Sequence, residues 1–194
     1  MSDSNPTIRQ ADRAAQQAAG DLLRRYFAEE GFAVEETTAR DGLAALLDDP
    51  RGAVFLATLP GAPGETAAAG EAAGTTEAAG VATVTWTTSA AHGRLAEIAE
   101  LYVRPASRGR GVATALLEAA LAWARRQGCT VCRLAAGPDG ELRHGVAGFF
   151  TARGFDDDYR SVLVRDLGGV ERRDVSRAAG PGAGPGAGAG EGGS

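Results

Sequence analysis

The stretch Arg104–Thr114, RPASRGRGVAT, places three arginines and two glycines just ahead of an apolar helical repeat. Gly109 and Gly111 carry no side chain, so an anion can approach their backbone closely. A helix starting here leaves its first N–H groups without internal partners, and its dipole makes that end partly positive. Arg104, Arg108 and Arg110 add full charges. Such a turn is an anion site suited to a diphosphate. Two familiar phosphate-binding patterns do not fit it. Gly109-Arg-Gly111-Val-Ala-Thr114 lacks the third glycine of G-x-G-x-x-G, and the P-loop needs a lysine that this chain does not contain. An ordinary strand–turn–helix with a solvated arginine cluster explains the loop, taken alone, equally well.

Other reactive residues are few. Glu97 and Glu100 lie on one apolar run, which alternation along a strand would turn to opposite faces. Cys129-Thr-Val-Cys132 is a C-x-x-C with no second pair for zinc and no histidine nearby in sequence. It reads as two small buried strand residues, and no metal is expected. His144 reads as a surface residue at a helix start.

These residues must be positioned by elements that the hydrophobic pattern outlines. Ala14, Ala18, Leu22 and Tyr26 recur at spacing four and predict a helix over Ile8–Glu30, stopped by Gly31. DGLAALLD (41–48) predicts a short helix capped by Asp41. Strands are expected at Ala53–Leu59, Val81–Thr88, Ala96–Val103, Thr130–Ala135 (buried) and Ser161–Leu167. Gly111–Gln127 carries the clearest amphipathic stripe: Val112, Leu116, Leu117, Ala120, Leu121 and Ala124. A last helix is expected over Arg143–Arg153, closed by Gly154. Residues 60–80, rich in Ala, Gly and Glu, read as a flexible acidic insertion. Residues 1–7 and 171–194 read as disordered ends around a domain at 8–170; Gly at every second position of the last stretch does not match the collagen period. The element order suits an α/β fold: a mixed sheet with helices on both faces.

Composition narrows the function classes. The formal net charge of −5 argues against a phosphate-neutralising nucleic-acid face. All 20 basic residues are arginine, which removes pyridoxal Schiff-base chemistry along with the P-loop. No run approaches the roughly 20 apolar residues of a membrane span, and residues 1–20 lack a continuous apolar signal segment. With two cysteines, a reducing, cytoplasmic setting is expected.

Arg108-Gly-Arg-Gly111-Val-Ala113 resembles the R/Q-x-x-G-x-G/A signature of the GNAT acetyltransferases. Val103-Arg-Pro105, the strand before it and the helix after it are similar as well. Phe149-Phe-Thr-Ala-Arg-Gly-Phe155 resembles the family's F-Y-x-x-x-G-F. The likeness spans roughly residues 8–167 and implies the GNAT fold, a central, mostly antiparallel sheet whose middle strands splay to admit the cofactor.

The resemblance also implies roles. In the cofactor cradle that opens at Arg108, backbone N–H groups of Gly109, Arg110, Gly111, Val112, Ala113 and Thr114 would hold the diphosphate of acetyl-CoA. Leu101, Tyr102 and Val103 would pair with its pantetheine arm as an added strand. The Leu101 N–H would face the thioester oxygen and stabilise its developing charge. An amine acceptor, small molecule or protein, would attack in a ternary complex after a base takes its proton. Glu97, eleven residues before Arg108, stands where histone-type members carry that base; Glu100 is the second candidate. Phe150 stands where many members carry a tyrosine acid and cannot donate a proton; Tyr102 or Tyr159 could substitute. Phe150 also motivates an alternative, an acyl-CoA-binding module with weak catalysis. Arg143 stands where many members carry an asparagine. Acceptor choice would rest with residues 8–50 and 80–95. Asp21, Glu29, Glu30, Glu35 and Glu36 there suit a cationic amine, or simply a solvated face. The resemblance leaves a homodimer open.

Overall fold

Runs of β-branched and apolar residues form the middle of the sheet. The computed structural model describes residues 5–60, 77–135 and 145–156. Strands β1 (Thr7–Gln10), β2 (Gly52–Thr58), β3 (Ala78–Ser89), β4 (Gly93–Val103) and β5 (Val131–Leu134) lie side by side in chain order. Neighbours are antiparallel except β4 and β5, which run parallel. Helices α1 (Gln16–Glu30) and α2 (Glu36–Asp48) contribute to one buried cluster. Helix α3 (Val112–Arg126) contributes to another. A last helix, α4, spans Val146–Thr151. The expected mixed sheet with helices on both faces is present, and it is mostly antiparallel.

Several boundaries differ from expectation. The helix expected from Ile8 begins only at Gln16, because Thr7–Gln10 pair with β2 from Thr7↔Thr58 to Gln10↔Phe55. Asp12 then caps a short 3-10 turn at Arg13–Ala15, accepting from the Ala15 N–H at 3.2 Å. Of the expected stripe, Leu22 is buried and Ala18 and Tyr26 pack partly buried against the same cluster, beside the buried Ala19 and Leu23; Ala14 falls in the 3-10 turn and is exposed. Gly31 ends α1 with φ 75°, as expected. Helix α2 starts at Glu36, not at Asp41; only Leu43 is buried, so its polar first turn leaves no apolar signal to read.

Strand β3 begins at Ala78, so residues 78–80 belong to the sheet and not to the acidic insertion. Gly80 is required there: a Cβ would meet the Tyr102 carbonyl oxygen at 2.7 Å and Leu116 Cδ1 at 3.0 Å. Strand β5 is half-exposed and not buried, with only Cys132 and Leu134 turned to the core. Residues 61–76, Arg143, His144, Tyr159, the strand expected at Ser161–Leu167 and the C-terminal stretch lie outside the described residues. Among the described residues no helix is long and apolar enough to cross a membrane.

Helix α3 is the chief packing element. It buries Val112, Leu116, Leu117, Ala120, Trp123 and Ala124 against the sheet; Leu121 is only partly buried and Trp123 takes its place in the stripe. Its N-terminus is thereby fixed at the end of β4, where the arginine–glycine turn lies.

Candidate active site

A single extra residue in β4 organises the site. Thr83 opposes Glu100 and Val84 opposes Ile98, so Ala99 is a bulge. Cross-strand partners share a face. Glu97 opposes Thr85 and Glu100 opposes Thr83, and those threonines are two apart on an unbroken strand. Both carboxylates therefore stand on the same face of the sheet, the one shared with Val81, Tyr102 and α1. The expected opposite-face arrangement is wrong, because the bulge shifts the alternation by one.

The two carboxylates differ in surroundings. Glu97 is bound through Oε2 by Arg133 of β5, at 3.0 Å from Nε and 2.7 Å from Nη2. Glu100 sits deeper. Burial pushes its carboxyl above the ordinary 4.5, a hydrogen bond from Thr83 pulls it back, and the charge of Glu97 adds upward pressure. Nearby, the Tyr26 phenol is pushed up to about 12 by burial first and then by Glu30 and Glu100.

Beyond the bulge the sheet opens. Among the described residues, strand β5 pairs with β4 only from Leu95↔Val131 to Ile98↔Leu134. The Glu100 N–H is turned to Thr83 Oγ1 (3.2 Å) and the Arg104 N–H to the Ala79 carbonyl (2.9 Å). Backbone groups alternate along a strand. The amides of Leu101 and Val103 therefore face the opening, whereas those of Tyr102 face β3.

A cavity of about 790 Å³ follows this opening. One end meets α1 at Tyr26, Glu29 and Glu30; it passes Ala99 and Leu101, and it ends at Gly109, Gly111 and the first turn of α3. Helix α4 supplies the far wall through Phe149 and Phe150, with Arg153 just beyond it. Gly109 (φ 72°) and Gly111 (φ 76°) are left-handed, and among the described residues an added Cβ at either would have no atom within 4 Å. Gly111 is the N-cap of α3, and among the described residues no side chain caps that end. The first α-helical bond runs from the Ala115 N–H to the Gly111 carbonyl (3.0 Å), so the amides ahead of it are the donors a helix start offers.

The arginines of the turn have separate tasks. Arg108 donates through Nε to the Val103 carbonyl (3.0 Å) and through Nη2 to Glu29 (2.6 Å), and it lies 5.9 Å from the Tyr102 ring centroid. Its guanidinium thus straps the turn to α1. Tyr102 is raised by burial and by Glu29, to which its hydroxyl is also hydrogen-bonded. Arg104 pairs with Glu77. Arg110 is exposed, and it does not line the cavity, nor do Glu97 and Glu100.

Phe150 lines the cavity and packs edge-on against Phe149 (5.1 Å) and Phe155 (5.7 Å). All three rings pack partly buried against the α3 cluster. Cys129 and Cys132 are free thiols, and burial pushes Cys132 up to about 11, which makes it a poor nucleophile. Ser107 and Arg153 are among the cavity residues that the sequence did not single out. Ser107 is buried in the short turn before Arg108. Arg153 donates to Thr114 Oγ1 at 2.7 Å, and its only sequence signal is its place inside FFTARGF.

Among the described residues, the open amides, the glycine turn with free space before it and the unpaired strand edge fit a diphosphate followed by an extended amide-bearing arm, as in CoA. The chain matches the model of the Acetyltransferase (GNAT) family over residues 22–155. No curated protein matches it in sequence. Among solved structures it is similar to the aminoglycoside N-acetyltransferase AAC(6')-Iy in complex with CoA, at 19% identity and TM-score 0.66, over 84% of this chain and 96% of that one. It is similar to an integron cassette protein from the mobile metagenome of Cole Harbour Salt Marsh, at 23% identity and TM-score 0.64, over 82% and 90% of the two chains. It is also similar to the aminoglycoside 6'-N-acetyltransferase AAC(6')-IG from Acinetobacter haemolyticus, at 19% identity and TM-score 0.61, over 82% and 97%. At these identities the structural likeness is one of fold. The family match covers most of the chain, from α1 through the glycine turn to Phe155, and on that ground the chain belongs to the Acetyltransferase (GNAT) family of acyl-CoA-dependent acetyltransferases.

Proposed function

We propose that this enzyme moves an acetyl group from acetyl-CoA directly to a primary amine while both are bound. The observation that carries this reading is the continuity of one cavity from the α3 N-terminus, along the open β4 edge, to Tyr26 and Glu30. Two reactants can meet there beside Leu101. The cofactor supplies an acyl carbon activated as a thioester. The amides of Gly109–Thr114 hold its diphosphate, and the Leu101 and Val103 edges hold its arm. The Leu101 N–H donates to the acyl oxygen, where negative charge develops on attack.

A protonated amine cannot attack, so the chain must accept a proton. Glu97 and Glu100 remain the two candidates, and the geometry favours Glu100. Burial raises its carboxyl above the ordinary range, and its charge acts on Tyr26, which lines the cavity. Glu97 is engaged by Arg133. A water between Glu100 and the amine completes the path, since the carboxylate does not itself line the cavity. Phe150 offers no proton to the departing thiolate, which leaves unassisted or takes its proton from Tyr102. The acceptor enters at the α1 end, where Glu29 and Glu30 favour a cationic amine. The free cysteines fit a cytoplasmic setting.

The test is CoA-thiol release from acetyl-CoA across a panel of primary amines, including polyamines, aminoglycosides and lysine peptides. Amine-dependent release is expected. Tight CoA binding with no release for any amine would leave the binding-module alternative standing.

A further inference from the structure

Arg153 follows α4, close to the residues that close the cavity opposite the glycine turn. Its Nη2 donates to Thr114 Oγ1 (2.7 Å) in the first turn of α3, and its Nη1 donates to the Phe149 carbonyl (2.7 Å). The guanidinium carbon stands 3.7 Å from the centroid of the Phe149 ring. Its Nε is buried with no hydrogen-bond partner among the described residues. One planar group therefore grips two helices and a ring at once, which a lysine ammonium cannot reproduce. The placement is electrostatically costly in the absence of an anion: a cation next to the positive end of a helix is repelled by it. A residue needed only to pack α4 would not require a charge at that spot. The cost is reversed when an anion lies at the same helix end, because guanidinium and amides then attract it together.

We propose that Arg153 is a positioning residue for the cofactor. By tying α4 to Thr114 it sets the gap between α4 and the α3 N-terminus, and its charge adds to that end's pull on an anion. It acts on CoA affinity and leaves the amine side of the cavity alone. This rests on the reading that the Gly109–Thr114 turn holds the CoA diphosphate.

Calorimetric titration with CoA separates the possibilities, using Arg153→Met, Arg153→Lys, Thr114→Val and the Arg153→Met/Thr114→Val double variant. Arg153→Met keeps the apolar stem over Phe149, and Thr114→Val removes only the hydroxyl. The loss of a charged hydrogen bond and its geometry should weaken CoA about tenfold in Arg153→Met and nearly as much in Arg153→Lys. Thr114→Val should cost roughly threefold, and the double variant should be no weaker than Arg153→Met alone. The KM for the amine should stay within about twofold. Wild-type affinity in Arg153→Lys, or losses that multiply in the double variant, would overturn the clamp. If the wild-type chain fails to bind CoA at all, the diphosphate reading falls first. If it binds and these variants match it, only the role of Arg153 falls.

Discussion

Strands β3 and β4 show two different faces. Toward α3 they present Ala82, Val84, Ala96 and Ile98, all closed under Leu116, Leu117 and Trp123. Toward α1 they present Thr83 and Thr85 opposite Glu100 and Glu97. The same backbone thus carries an apolar face at Ala82, Val84, Ala96 and Ile98 and, one residue over, a face where two carboxylates stand beside buried Val81 and Tyr102. The apolar face stores folding energy, while the polar face spends some of it to keep a carboxyl partly desolvated. Chemistry and stability should therefore respond to different substitutions.

The largest contrast should come from Glu100→Gln. On the base reading it lowers turnover by roughly 10²–10⁴. Its melting temperature should hold or rise, since a partly buried charge is removed and the amide can still meet Thr83. Glu97→Gln should cost far less turnover, because Arg133 already engages that carboxylate. Steady-state rates paired with thermal melts check both, and a loss confined to Glu97→Gln would transfer the role. On the opposite face, Leu116→Ala removes a fully buried side chain and should cost about 2–5 kcal/mol of stability in urea melts. CoA affinity should persist wherever the variant is folded. Between the faces, Gly111→Val forces a β-branched residue into a left-handed N-cap, costing about 1–2 kcal/mol, and puts its side chain in the space before the turn. Weaker CoA binding with nearly intact turnover at saturating acetyl-CoA is expected by calorimetry and kinetics.

The smallest effect is a pH signature. The Glu100 carboxyl is harder to ionise folded than unfolded. Between its ordinary 4.5 and its raised value the native state therefore holds more protons, so stability falls as pH climbs through that window and then levels. Glu100→Gln should abolish this fall in a series of urea melts, whereas turnover of the wild type should rise through the same window.

What could be read beforehand follows the same division. The α3 stripe, the strands β2 to β4 and the glycine turn were legible because apolar period and glycine placement are local properties. The face of Glu100 was not, since one bulge at Ala99 reverses the alternation and nothing in AEIAELYV marks it. Thr7–Gln10 looked helical because four residues are too few to show a period, and their pairing with β2 is a long-range choice. The strap from Arg108 to Glu29 and the grip of Arg153 on Thr114 join residues 79 and 39 positions apart. Such contacts exist only after the sheet has brought the helices together.

The central claim is that the amides of Leu101 and Gly109–Thr114 receive CoA. An amide nitrogen–proton correlation spectrum recorded during CoA titration tests it residue by residue. The largest shifts should fall on Leu101, Val103, Gly109, Gly111, Val112, Ala113 and Thr114, with the Trp123 and Leu117 amides nearly still. Saturable shifts that leave the glycine turn untouched and gather elsewhere would contradict it.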